Sequence, residues 1–429
     1  MKLTKAKVAK IKTALTAGET QPKIAKKFNI SRSTISDIAT NRAHTDVEWP
    51  AGEGPIKVPG GQLKKLPEHD PTNARVQELE AEVVHLREER DYARKTNKGE
   101  AKQRGFFKAV VAEMDNRIVP FKALAPSRPK PLAGVIVEDL VMHMSDGHHD
   151  QIVSPEECGG LEEHNFAISC RRGEVFVDQT IDFTQGVLGS CYDYKRLTIL
   201  AYGDHTSGEI HGHTNRSAYR NQFKNSFAIG QLHALMFRDL APYFDCVNVV
   251  YVPGNHGRRS VKKDFHGAHD NWDYLIAEIA RLHCRDLNNV AFTIPNAFSV
   301  NLEINGVGFN VSHGDDVRGN GGIPFYGMIR RQKGLIALGA VQGGPRIRYF
   351  CMGHHHVASS LSDIDGELLV NGAWVGTDSY AYNSFSGYRE PTQWIHGVNP
   401  DHGITWRMNV HLRTKDEARG PKRYKIEIN

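Results

Sequence analysis

Five apolar, strand-like runs in this chain each break off into histidine, aspartate or asparagine. Val135 to Val137 and Leu140 to Met144 lead into Ser145-Asp146-Gly147-His148-His149-Asp150. Leu197 to Tyr202 leads into Gly203-Asp204-His205-Thr206-Ser207-Gly208-Glu209-Ile210-His211. Val247 to Val252 ends in Pro253-Gly254-Asn255-His256-Gly257-Arg258-Arg259, which reads as a buried strand entering a tight turn. Val307 to Ser312 leads into His313-Gly314-Asp315-Asp316, and Ile347 to Met352 into Gly353-His354-His355-His356. Helical patterns over Ser217 to Leu240 and Asn271 to Leu287 separate some of these runs, so from about Leu132 the chain predicts an α/β or layered α+β domain.

In an open sheet, ligands gather beyond the carboxyl ends of the strands, so these polar groups are placed to converge in one crevice. One Asp-x-His means little, because ordinary core and surface histidines are common. Five such ends in one domain are a different matter. The set mixes oxygen and nitrogen donors without a thiolate, which suits manganese, iron or zinc better than calcium or a structural zinc. It also holds too many ligands for one ion with an open position. Two ions sharing a carboxylate fit the count. Asp146 and His148 stand two apart, as do His354 and His356. On an extended segment that spacing predicts side chains on one side.

The order Asp-x-His, Gly-Asp, Gly-Asn-His, His, Gly-His-x-His resembles the calcineurin-like metallophosphoesterase superfamily, over roughly Val135 to Trp374. The resemblance implies a two-sheet β-sandwich flanked by helices, with a dinuclear site on one edge. It implies that Asp146, His148 and His356 hold one ion, that Asn255, His313 and His354 hold the other, and that Asp204 bridges them. It implies that His256 stays off the metals and acts as general acid. Two divalent ions are expected, manganese first, with iron or zinc as alternatives. Two cations sharing a carboxylate lower the pKa of a water between them toward neutrality, and the resulting hydroxide attacks phosphorus in line. A proton from His256 to the departing alkoxide would contribute roughly 10²–10⁴ in rate.

The chain departs from the usual pattern in having Gly257-Arg258-Arg259, where many members place an acid after Gly-Asn-His. A carboxylate that orients His256 must then come from elsewhere, with Asp150, Asp270 and Asp273 as candidates. Arg258 and Arg259 offer bidentate phosphate contacts, and solvent-facing loop arginines are an equal alternative. His149, His205, His211, His213 and His355 crowd the same motifs and read as outer-layer or substrate-side groups, with His355 pointing away from the ions.

The first 44 residues are basic and helical in pattern. Val8, Ile11 and Leu15 sit at helical spacing, then Ile24, Ala25 and Phe28, then Ile35 and Ile38. Pro22 suits a first helical turn and Ser31 an N-cap. Gln21 to Phe28 and Ile30 to Ser36 resemble a helix-turn-helix module, whose second helix lies in the major groove. Arg32, Ser33, Thr34, Ser36 and Asp37 would be exposed there, with Arg32, Ser33, Thr34 and Ser36 expected to contact DNA. Lys2, Lys5, Lys7, Lys10, Lys12, Lys23, Lys26, Lys27, Arg32 and Arg42 outnumber Glu19 and Asp37, which favours phosphate contact. A basic helical docking domain is the plainer alternative.

Residues 45–73 are rich in Pro, Gly and charge and predict a flexible linker. Val76, Leu79, Val83 and Leu86 give a short coiled-coil-like signal within an amphipathic helix over 74–110. Self-association through 74–95 is one use of it, and packing on the catalytic domain is the other. The catalytic domain is expected over 132–429. No apolar run reaches membrane-spanning length, and the basic N-terminus lacks a secretory pattern. Six scattered cysteines suit a reducing cytoplasm, and the resemblance taken with the N-terminal module implies a prokaryotic or phage-infected cell.

The expected function is a dinuclear-metal-dependent phosphodiester hydrolase acting on DNA, a repair-type nuclease. One alternative is a phosphatase or small-nucleotide phosphodiesterase that the N-terminal module merely locates. A non-catalytic DNA-binding regulatory protein is the other. Gly-x-x-x-x-Gly-Lys-Ser/Thr is missing from the sequence, so an ATPase partner would be a separate chain.

Overall fold

The computed structural model describes residues 3–40, 43–44, 46–50, 106–115, 117–121, 134–210, 217–262, 267–317, 324–385 and 387–428. Most of the 45–73 stretch, the Val76 to Leu86 pattern, His211 and His213 lie outside the described residues. The chain divides into two compact units, Met1–Arg90 and Asp91–Asn429.

In the first unit three short helices, α1 (Lys5–Thr16), α2 (Gln21–Phe28) and α3 (Arg32–Ala39), enclose Val8, Ile11, Leu15, Ile24, Ile35 and Ile38. Pro22 sits in the first turn of α2, and Asn29 closes that helix in the left-handed region. The Ser31 hydroxyl caps α3 by accepting from Thr34 N at 3.1 Å. Arg32 and Ser33 are exposed, and Thr34, Ser36 and Asp37 are half-buried. One expectation fails here. Lys12 is fully buried, its amine donating to the carbonyls of His44 and Val47 and lying over the Trp49 ring. A lysine so engaged holds chain together and is removed from the phosphate-facing set.

The second unit is two mixed sheets with helices outside them, as the resemblance implies. Sheet one runs β11-β10-β1-β2-β3-β4, and sheet two runs β5-β6-β7-β9-β8. Here β1 is Ile136–Met144, β2 Tyr192–Ala201, β3 Cys246–Tyr251 and β4 Val290–Thr293, all parallel neighbours, while β10 (Thr392–Asn399) returns antiparallel between β1 and β11 (Gly403–His411). In the other sheet, β6 (Val307–Ser312) lies parallel to β7 (Ile347–Met352), with β5 (Ser299–Ile304), β8 (Ser359–Asp363) and β9 (Gly366–Val370) around them. The two apolar pieces before Asp146 are thus one strand, interrupted by a register shift between Glu138 and Leu140.

Strand alternation assigns each face. Leu140, Met142, Met144, Leu197, Ile199, Ala201, Val247, Val249 and Tyr251 face the helical layer. Val141, Leu200, Tyr202, Val250 and Val252 face sheet two, against Val307, Phe309, Val311, Tyr349 and Cys351. The helical layer includes α5 (Phe166–Ile181), α6 (Gln222–Leu240) and α7 (Trp272–His283). Each begins on an asparagine cap: Asn165, Asn221 and Asn271 accept from Ile168 N, Lys224 N and Asp273 N. Helix α4, over 106–115, packs Phe107 and Met114 near Trp272 and Leu275 of α7. Helices α8 (Phe325–Gln342) and α9 (Ser379–Phe385) complete the unit. Among the described residues no helix is long and apolar enough to cross a membrane.

Candidate metal centre

All five polar strand ends fall at the carboxyl ends of β1, β2, β3, β6 and β7, and they meet. Asp146, His148 and His356 bring one ligand atom each within 4.8 Å of one another; so do Asp204, His313 and His354, and so do His148, Asp204 and His256. Asp204 belongs to two of these groups, the place a bridging carboxylate would occupy. Asn255 joins the second group through its Oδ1, 3.1 Å from His313 Nε2.

The backbone at these positions is strained. Asp146, His148, Asp204, His354 and His356 have φ of 52°, 38°, 54°, 67° and 57°. Left-handed conformations are costly for residues other than glycine and cluster where a site over-determines them. The expectation that Asp146-x-His148 and His354-x-His356 are extended is therefore wrong. Their side chains converge because the chain turns through left-handed residues, while main-chain bonds hold the turns. Asp146 N donates to Gly203 O (3.0 Å) and His148 N to Asp204 O (2.9 Å), so the loops after β1 and β2 run in step. Two glycines are fixed by the carboxylates themselves. A Cβ on Gly254 would lie 2.2 Å from Asp204 Oδ1, and one on Gly353 would lie 2.2 Å from Asp146 Oδ2.

Asp146 takes Ser145 Oγ on Oδ2 (2.6 Å) and His354 N on Oδ1 (2.8 Å), with His356 Nε2 at 3.3 Å. Asp204 Oδ1 takes the His256 backbone N–H at 2.7 Å, and its Oδ2 lies 2.9 Å from His313 Nε2. His313 donates from Nδ1 to the Tyr202 carbonyl at 2.9 Å, which points Nε2 into the cluster. Burial alone would raise both carboxyls. The imidazoles of His313 and His256 around Asp204, and of His356 and His313 around Asp146, outweigh it and hold both ionised. Burial and neighbouring histidines hold His148 well below the usual imidazole range and take His354 down to about 4, which leaves a lone pair for a cation. Burial also opposes protonation of His313, but Asp204, with Asp146 behind it, raises it to about 10.

These residues fit divalent ions. The donors are carboxylate, amide and imidazole, without sulfur. His148 Nε2 is buried with no hydrogen-bond partner, and Asp204 Oδ2, although close to His313 Nε2, is buried without a contact of hydrogen-bond geometry. Polar atoms rarely tolerate such an arrangement unless something else satisfies them.

His256 is placed as a proton donor. Its side chain is 20 % exposed, its Nε2 lies 4.0 Å from Asp204 Oδ2, and its ring stands edge-on to His148. The acceptor on its Nδ1 is the Ser207 carbonyl, at 3.0 Å. None of the three candidate carboxylates makes that contact. Asp150 accepts from Ser207 N (2.8 Å) and Thr206 Oγ1 (3.0 Å), so it fixes the loop that presents the carbonyl. Asp273 accepts from Asp204 N, His205 N and Gly254 N, pinning the β2 and β3 loops to the start of α7. Burial, then the nearby Asp204 charge, raises its carboxyl to about 7. Sequence reasoning missed this role; an acid two residues after the Asn271 cap was the available signal. Asp270 pairs with Arg259 at 3.2 Å.

The two arginines are engaged locally. Arg258 Nε donates to the Asn255 carbonyl, and Arg259 also covers the Phe106 and Phe107 rings. His149 and His205 are not substrate-side groups. Both are fully buried and, with His233 of α6, form a separate cluster. Adjacent in sequence to His148 and Asp204, they join a different group of rings. The His355 ring lies 5.1 Å from that of His354, and burial takes it down to about 4.

No family model matches the chain, and no curated protein matches it. Solved structures that resemble it include a hypothetical protein from Pyrococcus horikoshii OT3, at 8% identity and TM-score 0.33, with 67% of this chain and 96% of that one covered. A novel archaeal phosphodiesterase aligns at 12% identity and TM-score 0.29, covering 63% and 99%. Wild-type Vps29 from Entamoeba histolytica, complexed with zinc, aligns at 11% identity and TM-score 0.28, covering 64% and 99%. Likenesses this distant establish nothing about chemistry, and what the site can do rests on its own ligand geometry.

Proposed function

We propose that the Asp91–Asn429 unit is a dinuclear-metal phosphodiester hydrolase, and that with its N-terminal helical unit the chain acts as a DNA nuclease. One observation carries the reading: three interlocking carboxylate–imidazole groups at the ends of five strands, with Asp204 common to two of them. Asp146, His148 and His356 would hold one ion, Asn255, His313 and His354 the other, and Asp204 both, with manganese the first choice. Ions held there would supply a nucleophile drawn from water and charge neutralisation at phosphorus. The chain's own residues do the rest. Asp146 and Asp204 bring negative charge that is already ionised. The Ser207 carbonyl fixes the His256 ring, so that a proton on Nε2 faces the cluster and can pass to a departing alkoxide.

His256→Ala should lower kcat on an alkyl phosphodiester or DNA by roughly 10²–10⁴. On bis-para-nitrophenyl phosphate the loss should be far smaller, because para-nitrophenolate leaves without a proton. Equal losses on both substrates would remove His256 from the general-acid role.

The test of the reading is turnover by chelator-stripped, metal-restored protein on single-stranded DNA, double-stranded DNA, bis-para-nitrophenyl phosphate and a monoester. Manganese-dependent DNA cleavage supports it. Turnover of small esters with DNA left intact moves the function to a phosphatase or small phosphodiesterase. No turnover with manganese, iron or zinc leaves a DNA-binding scaffold. The N-terminal unit supports DNA as substrate through its exposed Arg32 and Ser33 on a capped helix and through its basic balance. A tethered module of this kind raises the local concentration of DNA. Deleting residues 1–44 should weaken DNA binding and make the plot of log affinity against log salt shallower, by about 0.9 for every phosphate the module neutralises. Unchanged affinity and slope would show that the module binds something else.

A further inference from the structure

The buried histidines His149, His205 and His233 lie outside the centre described above. One ring nitrogen of each lies within 4.8 Å of the others. His149 follows β1, His205 follows β2, and His233 sits in the middle of α6, all three fully buried. His149 Nε2 and His233 Nε2 face each other at 3.1 Å. Their far nitrogens are each held by an oxygen: His149 Nδ1 by Ser169 Oγ at 2.7 Å, and His233 Nδ1 by Tyr251 OH at 2.8 Å. That is how metal-bound imidazoles are usually oriented, with an oxygen on the nitrogen away from the ion.

A metal-free account explains two of the three rings. One hydroxyl donates inward, one imidazole becomes an Nε2–H donor, and the two histidines share a hydrogen bond. It supplies no protein partner for His205. Both of its nitrogens, Nδ1 and Nε2, are buried with no hydrogen-bond partner. A neutral imidazole there would leave one N–H and one lone pair unmet in the interior, where unpaired polar atoms are costly. The ring is also fixed by packing, its centroid 4.7 Å from His233 and 5.6 Å from Tyr251. A divalent ion among the three would take the unmet lone pair of His205 and leave its N–H as the one unmet ring atom. Ligand nitrogens at about 2.0–2.1 Å from a tetrahedral ion stand about 3.3 Å apart, so the observed 3.1 Å between His149 and His233 needs little adjustment.

We propose that His149, His205 and His233 form a further metal site, for a borderline-soft divalent cation of the zinc class, separate from the strand-end centre. An all-imidazole, sulfur-free set selects zinc, cobalt or nickel over manganese or magnesium. The site fastens the loops carrying His148 and Asp204 to helix α6, so its ion acts as a clasp behind the strand-end centre.

The test is metal content of full-length protein, stripped with chelator, reloaded with cobalt(II) and desalted, together with its visible spectrum. Asp146→Ala combined with Asp204→Ala removes both carboxylates of the strand-end centre, one from the set around His148 and His356 and the one shared with the set around His313 and His354. That protein should retain about one equivalent of cobalt with the intense absorption of tetrahedral coordination. Adding His233→Leu should remove both the equivalent and the absorption. His233→Gln, closer in shape and polarity, does the same if the leucine variant does not fold, as circular dichroism will show. The proposal is overturned if the doubly substituted protein binds no cobalt, or if either His233 variant that folds keeps the same equivalent and spectrum. Wild type that holds a single equivalent, lost with His233 and indifferent to Asp146 and Asp204, would refute the dinuclear reading and leave this site standing.

Discussion

Asp204→Ala is expected to abolish metal-dependent phosphodiester turnover, by about 10⁴-fold or more, a barrier increase of roughly 5.4 kcal/mol. The carboxylate is 1 % exposed and touches nearly every part of the site. Its Oδ1 receives the His256 backbone, its Oδ2 faces His313 Nε2, and it belongs to both the His313–His354 and the His148–His256 groups. Without it, His148, His313 and His354 would face one another with no shared anion, and His313 would lose the largest of the charges that raise its proton affinity. Metal content should fall together with turnover. Inductively coupled plasma measurements and kcat on bis-para-nitrophenyl phosphate check both. A variant within tenfold of wild type in rate, with its metal retained, would dismiss Asp204 as the common ligand.

Arg172→Leu should cost stability on a comparable scale, about 3–5 kcal/mol, because it strands buried charge. The Arg172 guanidinium is fully buried. It donates to Glu162 (2.8 Å), twice to Glu417 (2.9 and 3.1 Å) and to the Trp374 carbonyl (2.8 Å). Glu162 also accepts from Arg413 and Gly376 N, so leucine would leave a buried carboxylate with one cation where it had two. Trp374 N in turn donates to the Asp146 carbonyl, which links this network to the turn after β1. Calorimetry should show a Tm lower by roughly 10 °C, taking about 2–4 °C per kcal/mol for a large domain. Arg172→Lys should recover only part of it, since an ammonium cannot reproduce the planar fork. A leucine variant melting within experimental error of wild type would show that the network breaks even against apolar packing.

The five polar strand ends were legible because each of these side chains lies within a few residues of the end of its own strand, where alternation and turn residues are local signals. What could not be read were contacts whose partners are main chain. The acceptor that orients His256 is the Ser207 carbonyl, which no residue type announces. Asp273 spends its carboxylate on three backbone N–H groups from two distant loops, and only the folded chain brings those together. Helix α5 went unrecognised because Arg172 and Glu174, buried charges, interrupt the apolar stripe that a helix core normally shows. Helix α8 is mostly exposed, with only Met328 and Gln332 buried, so it carries no strong periodicity. His233 looked like any polar residue inside a helix, and its meaning depends on two rings contributed by other elements.

The left-handed turns at Asp146, His148, Asp204, His354 and His356 also bear on how such a protein can change over time. At each of these positions glycine would relax the backbone, and a residue of that kind is what a search for greater robustness would find first. Improvement in endurance and retention of chemistry therefore pull against each other at the same handful of codons. A lineage under pressure to survive heat, and released from whatever these five side chains do, would be expected to lose them before its strands change at all.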